Sequence, residues 1–271
     1  MKPNYLASSP IGVFDSGIGG LTLVQALTKY LPHENLIYFG DTAHLPYGDK
    51  SAITIQAYAI KIAHLLLERK CKLILIGCYS ATAAAFELIK EYVGSQAIVM
   101  NVIDPTIRLL KEKYSGKRIG LIGTKQTVHS NIHQKKIDQF NIPLTLSSYP
   151  TSLLASAIEE FGNHPIIDAL LKIYLAHPNL QSIDALVLAC THYPVIKEKI
   201  ADYYNHKIDI IDASDIVALT VKQQLEKLSL LNVEGTNQKH FYVSDYTASF
   251  ETHASLFFKG DIQLEHYPLW D

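Results

Sequence analysis

Along the chain, short apolar runs alternate with longer segments whose apolar residues recur three and four positions apart. IGVF (11–14), NLIYFG (35–40), KLILIG (72–77) and AIVMNVI (97–103) have the length and aliphatic content of buried strands. Between them, LTLVQALTKYL (21–31), SAITIQAYAIKIAHLLLERK (51–70) and ATAAAFELIKEYV (81–93) have the spacing of amphipathic helices. This alternation predicts βαβ units around a parallel sheet. After Asp104 and Pro105 the pattern restarts with RIGLIGT (118–124), LTLSSYP (144–150), DALVLAC (184–190) and IDIIDA (208–213). A helix, SDIVALTVKQQLEKL (214–228), a polar turn, NVEGTNQ (232–238), and a strand-like KHFYVSD (239–245) follow, and are expected to close back on the first half. The expected architecture is α/β: two pseudo-symmetric three-layer αβα domains with parallel sheets. Residues 1–103 plus 214–271 would form one domain and 104–213 the other.

Composition narrows the class of partner. With 271 residues, 48% of them hydrophobic, the chain can bury one large core or two medium ones. Its formal net charge is −2 and its 24 basic residues are scattered, so neither nucleic acid nor a membrane surface is an expected partner. A small molecule is. The opening MKPNYLASSPIGVFDSG lacks the apolar core of a signal peptide, and no run approaches the roughly 18 apolar residues of a membrane span, which makes the cytoplasm the expected location. Three cysteines, Cys71, Cys78 and Cys190, are an odd count that suits free thiols in a reducing compartment.

Two of those thiols occupy matched positions. KLILIGC ends the third strand of one half, and DALVLAC ends the corresponding strand of the other. Ligands of open parallel sheets bind outside the carboxyl ends of the strands, where the following helices begin. A thiol there faces a cleft, near helix N-terminal amides that favour its thiolate. A single cysteine at a strand end is more often packing than chemistry. Cys71, in the turn ERKCKL, is read that way, but the repetition of Cys78 and Cys190 points to two groups approaching one small substrate from opposite sides. That is the geometry of a two-base proton transfer.

Other motifs fall at the same sheet edge. DSGIGGL (15–21) follows the first strand with three glycines that allow a tight turn and exposed amides. It lacks the Lys-Ser/Thr ending of a Walker loop and the spacing of a dinucleotide fingerprint, so a carboxylate is as good a guest as a phosphate. Asp15 and Ser16 would serve there, or as a helix cap. GDTAHLPYGDKS (40–51) follows the second strand, and its Pro46-Tyr47-Gly48 turn could project backbone and phenol groups into the cleft.

FDSGIGGL, GDTAHLPYGDKS, the Cys78 segment, LIGTKQTVHS and ACTHYP, in this order and over nearly the whole chain, resemble the glutamate racemases of the aspartate/glutamate racemase superfamily. His192 after Cys190-Thr191 favours the glutamate branch. The resemblance implies cofactor-independent interconversion of L- and D-glutamate, supplying the D-isomer for peptidoglycan, with no metal or pyridoxal phosphate. It makes Cys78 and Cys190 proton donor and acceptor, with Asp15 assisting the first thiol and His192 the second. Ser16, Pro46, Tyr47, Gly48, Tyr79, Ser80, Thr127, Thr191 and His192 would line the substrate site. Glu159, in SLLASAIEEFG, is the nearest match to a glutamate of the family's site, with Glu160 adjacent. A homodimer is a candidate assembly.

The chain departs from the family at the first thiol, where Cys78-Tyr79-Ser80 stands in place of Cys-Asn-Thr. Ser80 keeps a hydroxyl. Tyr79 replaces a compact amide with a large phenol, so either the phenol points away and another group substitutes, or the pocket is reshaped, or a substrate in the usual pose loses a contact or clashes and catalysis is weakened. Two other readings stay open on this evidence: an amino-acid-binding homologue without turnover or with altered specificity, and a redox pair of Cys78 and Cys190, against which stands the lack of a Cys-x-x-Cys motif.

Overall fold

The computed structural model describes residues 5–162, 164–235 and 237–270. In chain order the first half comprises β1 (Ile11–Asp15), α1 (Leu21–Tyr30), β2 (Leu36–Gly40), α2 (Ala52–Glu68), β3 (Leu73–Ile76), α3 (Tyr79–Val93) and β4 (Ile98–Asn101). α4 (Ile103–Lys113) leads into β5 (Arg118–Gly123), α5 (Lys125–His129), α6 (Ile132–Gln139), β6 (Thr145–Pro150), α7 (Leu154–Phe161), α8 (Pro165–Leu175), β7 (Ala185–Ala189), α9 (Lys197–Tyr203) and β8 (Asp209–Ile211). α10 (Ser214–Lys227), β9 (Lys239–Val243), α11 (Ala248–Phe257) and β10 (Leu264–His266) follow.

Two parallel sheets result, with strand orders β10-β9-β2-β1-β3-β4 and β6-β5-β7-β8. The order β2-β1-β3-β4 in one repeats as β6-β5-β7-β8 in the other, which is the internal symmetry that the sequence pattern predicts. Every strand pair is parallel, with β1 between β2 and β3 and β5 between β6 and β7. β9 pairs alongside β2, so the strand-like segment near residue 240 does return to the first sheet. β10, only three residues long and exposed at two of them, extends that edge.

Ile11, Val13, Phe14, Leu73, Ile74, Leu75 and Ile76 are fully buried because helices cover both faces of the first sheet. One apolar cluster runs without a break from α1, through α4 and α10, to Leu121, Val187 and Leu188 of the second sheet, and joins the halves behind the cleft. A second lies between the first sheet and α2 and α3. This layering turns the carboxyl ends of the central strands of both sheets toward one another.

At the opposite, amino-terminal edge of the first sheet lies a charge pair that the hydrophobic pattern does not reveal. Lys72 Nζ donates to Glu34 Oε2 at 2.6 Å, to the Leu230 carbonyl at 2.9 Å and to the Ala7 carbonyl, while Glu34 Oε1 accepts from the Asn232 N–H at 2.9 Å. Both side chains are shut off from solvent. Burial pushes Glu34 up and Lys72 down, and their mutual contact opposes both shifts. Removing one partner strands the other charge inside the protein, at a cost of roughly 3–5 kcal/mol. Urea unfolding of Lys72→Ala should therefore show a loss of about that size, and the double variant Lys72→Met with Glu34→Leu should recover much of it.

Candidate active site

The loop after β1 is compact because other side chains press on it. None of Gly17, Gly19 and Gly20 has a positive φ, so the conformational freedom expected of these glycines is not what the fold uses. Space is. A Cβ on Gly19 would lie 2.5 Å from the His192 ring and 2.7 Å from Thr191 Oγ1, both across the cleft. The loop also carries the fully buried Asp15, whose Oδ1 accepts from the Gly17 N–H at 3.1 Å and whose Oδ2 accepts from the Thr191 hydroxyl at 3.2 Å. Burial pushes the Asp15 carboxyl up, against the pull of His192 and these two donors.

Cys78 is the N-cap of α3, and its Sγ accepts from the Ala81 N–H at 3.4 Å. The helix terminus expected to favour a thiolate is thus in place, but it is outweighed. Burial and the neighbouring Asp15 charge push the Cys78 thiol up to about 12, against the Ala81 N–H and Ser16. Ser16 stands between the thiol and the carboxylate: Cys78 Sγ donates to Ser16 Oγ at 3.7 Å, and Ser16 Oγ donates to Asp15 Oδ1 at 3.5 Å. Asp15 therefore reaches this thiol through a hydroxyl.

The second thiol has a different partner. Cys190 follows β7, its Sγ 3.7 Å from His192 Nδ1, and His192 Nε2 is 2.7 Å from Glu159 Oε2. Burial disfavours the imidazolium, but the bonds to Cys190 and Glu159 prevail and hold His192 well above its ordinary value. Glu159 comes from α7 in the second half, and its Oε2 lies 3.7 Å from where a Gly17 Cβ would be. Its Oε1 is buried without a partner among the described residues. Glu160 is exposed, so Glu159 is the carboxylate of this pair that faces the site.

Ser16, Pro46, Tyr47, Gly48, Cys78, Tyr79, Ser80, Cys190, Thr191 and His192 line one small cavity, with Thr124, Ala155 and Ala189 completing its wall. Thr127 is buried behind that wall. Ser80 Oγ lies 2.8 Å from Thr124 Oγ1 and 3.3 Å from Thr127 Oγ1, so three hydroxyls from the two halves form one cluster. Thr124 is absent from the residues expected from sequence, although it caps α5 by accepting from the Thr127 N–H at 3.4 Å, and a Thr-x-x-Thr before a helix is a readable cap signal. Gly48 is in close contact with it: a Cβ there would meet Thr124 Cβ at 2.6 Å. The Tyr47 phenol does not project into the cavity as expected, because it donates to Asp41 Oδ2 at 2.6 Å.

Tyr79 borders the cavity but makes its ring contact elsewhere. Its ring leaves the cavity edge and stacks on His133 of α6, with centroids 6.2 Å apart and planes inclined by 20°. Burial, with the Asp212 charge adding, holds its hydroxyl well above the usual phenol value, while a hydrogen bond with Thr106 of α4 eases the shift. His133 is pushed down to about 4 by burial, with Lys136 adding, so a neutral ring faces the phenol at pH 7. Tyr79 is thus a packed contact between the halves.

The Asp/Glu/Hydantoin racemase family model matches residues 21–221. A glutamate racemase of Chlorobaculum parvum is 38% identical over 260 residues, covering 95% of each chain. A glutamate racemase from Francisella tularensis, solved in complex with D-glutamate, superimposes with a TM-score of 0.90 at 37% identity over 98% of this chain and 99% of that one. One from Thermus thermophilus, in complex with beta-chloro-D-alanine, gives 0.85 at 31% identity over 96% and 97%.

Two outcomes are expected of this geometry. Tyr79→Asn removes a buried ring that joins the halves, and thermal or urea unfolding should show a loss of roughly 3 kcal/mol. Alkylation at Cys78, followed by mass spectrometry of its peptide, should be slow at neutral pH. The rate should keep rising toward about pH 12 and should not level off near 9.0, the ordinary thiol value.

Proposed function

The chain belongs to the Asp/Glu/hydantoin racemase family, and we propose that it interconverts L- and D-glutamate by two opposed cysteines, without a cofactor, and so supplies D-glutamate for peptidoglycan. The observation that carries this reading is the pair Cys78 and Cys190, placed by pseudo-equivalent strands on one cavity and given different partners. In one direction, the Cys190 sulfur takes the α-proton as the C–H bond breaks, and the S–H bond of Cys78 delivers its proton to the opposite face of the same carbon. In the other direction the roles exchange. After one turnover the proton inventory of the two sulfurs is reversed, and exchange with solvent resets it.

Each thiol is served according to its task. Cys78, with its thiol held well above the ordinary value, begins as a proton donor. His192, fixed by Glu159, stands 3.7 Å from the sulfur of Cys190 and can hold or return its proton. The carbanion that forms beside the substrate carboxylate needs preorganised donors, and the Ser16, Ser80, Thr124 and Thr191 hydroxyls around the cavity are suited to that role. Residues 1–103 with 214–271 and residues 104–213 are read as two bodies whose approach excludes water from this chemistry.

Racemisation of glutamate by the purified protein, followed by circular dichroism from each enantiomer, is the direct test. Cys78→Ser and Cys190→Ser should each lower the rate by roughly a thousandfold or more while leaving the fold intact. In deuterium oxide the product should carry solvent deuterium at the α-carbon. Full activity in either variant would defeat the two-base assignment.

A further inference from the structure

The Pro46-Tyr47-Gly48 turn lines the cavity, yet its one polar side chain faces away from it. Tyr47 is 1% exposed, and its hydroxyl is spent on Asp41, which is itself fully buried. Asp41 is the hub of a set of donors from distant parts of the chain. Ser244 Oγ, after β9, donates to its Oδ1 at 2.7 Å, the Trp270 indole N–H donates to the same oxygen at 2.8 Å, and His44 Nδ1 lies 3.1 Å from both carboxylate oxygens. The backbone of the hub is anchored to the catalytic strand, since the Asp41 N–H donates to the Asp15 carbonyl at 3.0 Å.

The rings around this hub form a stack that ends at Trp270. His44 lies parallel to Tyr58, with centroids 4.0 Å apart, and Trp270 meets His44 edge-on at 4.6 Å and Tyr58 at 5.3 Å. Tyr58 in turn meets the Tyr47 ring at 5.8 Å. Lys61 Nζ sits 4.7 Å over the Trp270 ring. Trp270 thus presses on the turn twice, by its N–H through Asp41 and by its ring through His44 and Tyr58.

We propose that Trp270, in the segment after β10, is a positioning residue for substrate binding, which acts through Asp41 and Tyr47 to hold the Pro46–Gly48 turn against the cavity. This rests on the reading of the cavity as a glutamate site. A buried carboxylate with four side-chain donors is directional: losing the indole donor frees Asp41 to rotate, and Tyr47 follows because its phenol has no other hydrogen-bond partner among the described residues. The turn then samples positions that bind substrate less well. The thiols, at the carboxyl ends of β3 and β7, stay where they are. Trp270 is moreover the chain's sole tryptophan, so its fluorescence reports on this linkage directly.

Trp270→Phe keeps a ring and removes the N–H. The expected result is a rise in KM for glutamate of about threefold to tenfold with kcat within about twofold of the parent, because binding is loosened and the proton transfer is not. In a cycle with Tyr47→Phe the two effects on KM should be less than additive. In the unsubstituted protein, Trp270 emission should change on titration with D-glutamate, with the midpoint found by calorimetry. A folded Trp270→Phe with unchanged KM, or additive effects in the cycle, would overturn the proposal while leaving the racemase reading intact. Should the unsubstituted protein neither bind nor turn over glutamate, the racemase reading fails. The linkage is then read from Trp270 emission in Tyr47→Phe, where a shifted maximum supports it and an unshifted one overturns it.

Discussion

The Thr191 hydroxyl donating to Asp15 is the contact on which the site is organised. It joins the carboxyl end of β1 in one sheet to the residue beside Cys190 in the other, in the interior of the protein. Such a bond forms only if the two sheets approach closely, and Gly19 permits that approach by offering no Cβ to His192 or Thr191. Thr22 strengthens the same junction, its hydroxyl donating to the Thr191 carbonyl at 3.1 Å. The two thiols share one cavity because these short contacts bring their strand ends together.

Closeness has an electrostatic consequence that differs between the two sides. Burial acts on Asp15, Cys78 and His192, and what distinguishes them is the partner each one has. Cys78 has weak neutral donors and a carboxylate nearby, so burial prevails and the proton stays on sulfur. His192 has Cys190 at 3.7 Å and Glu159 at 2.7 Å, and these two contacts together overcome the same burial. Pseudo-symmetric strands therefore carry their two cysteines into unequal surroundings, Ser16 and Asp15 beside one and His192 beside the other.

The same logic organises the periphery. Asp41 and the pair Lys72–Glu34 are buried charges saturated by donors or acceptors from several segments, one near the cavity and one at the far edge of the first sheet. Both draw on the region after α10, through Leu230 and Asn232 in one case and Ser244 and Trp270 in the other. The first sheet is thereby bound to its last-added strands by polar contacts as well as by the β2–β9 ladder.

Strand and helix types, the parallel arrangement, the repeat and the matched thiols were legible in the sequence, because burial on two faces writes itself as continuous aliphatic runs and the chemistry lies at the ends of those runs. Helices α4 to α9 and α11 were not assigned; the shortest of them, α5, α6, α7 and α9, have one or two turns and carry too little periodicity to register. Three decisions belonged to the tertiary structure alone. Glu159 and Glu160 are adjacent and chemically alike, and only the rotation of α7 against the cleft turns the first toward His192. Tyr79 follows a site cysteine, and whether its phenol points into the pocket or away was open; the space between α4 and α6 accepts its ring. Asp41 and Trp270 meet across almost the whole chain, through the closing of β9 and β10 onto the first sheet. Local patterning records which face of an element is buried, and it carries no record of what each buried polar atom will find there.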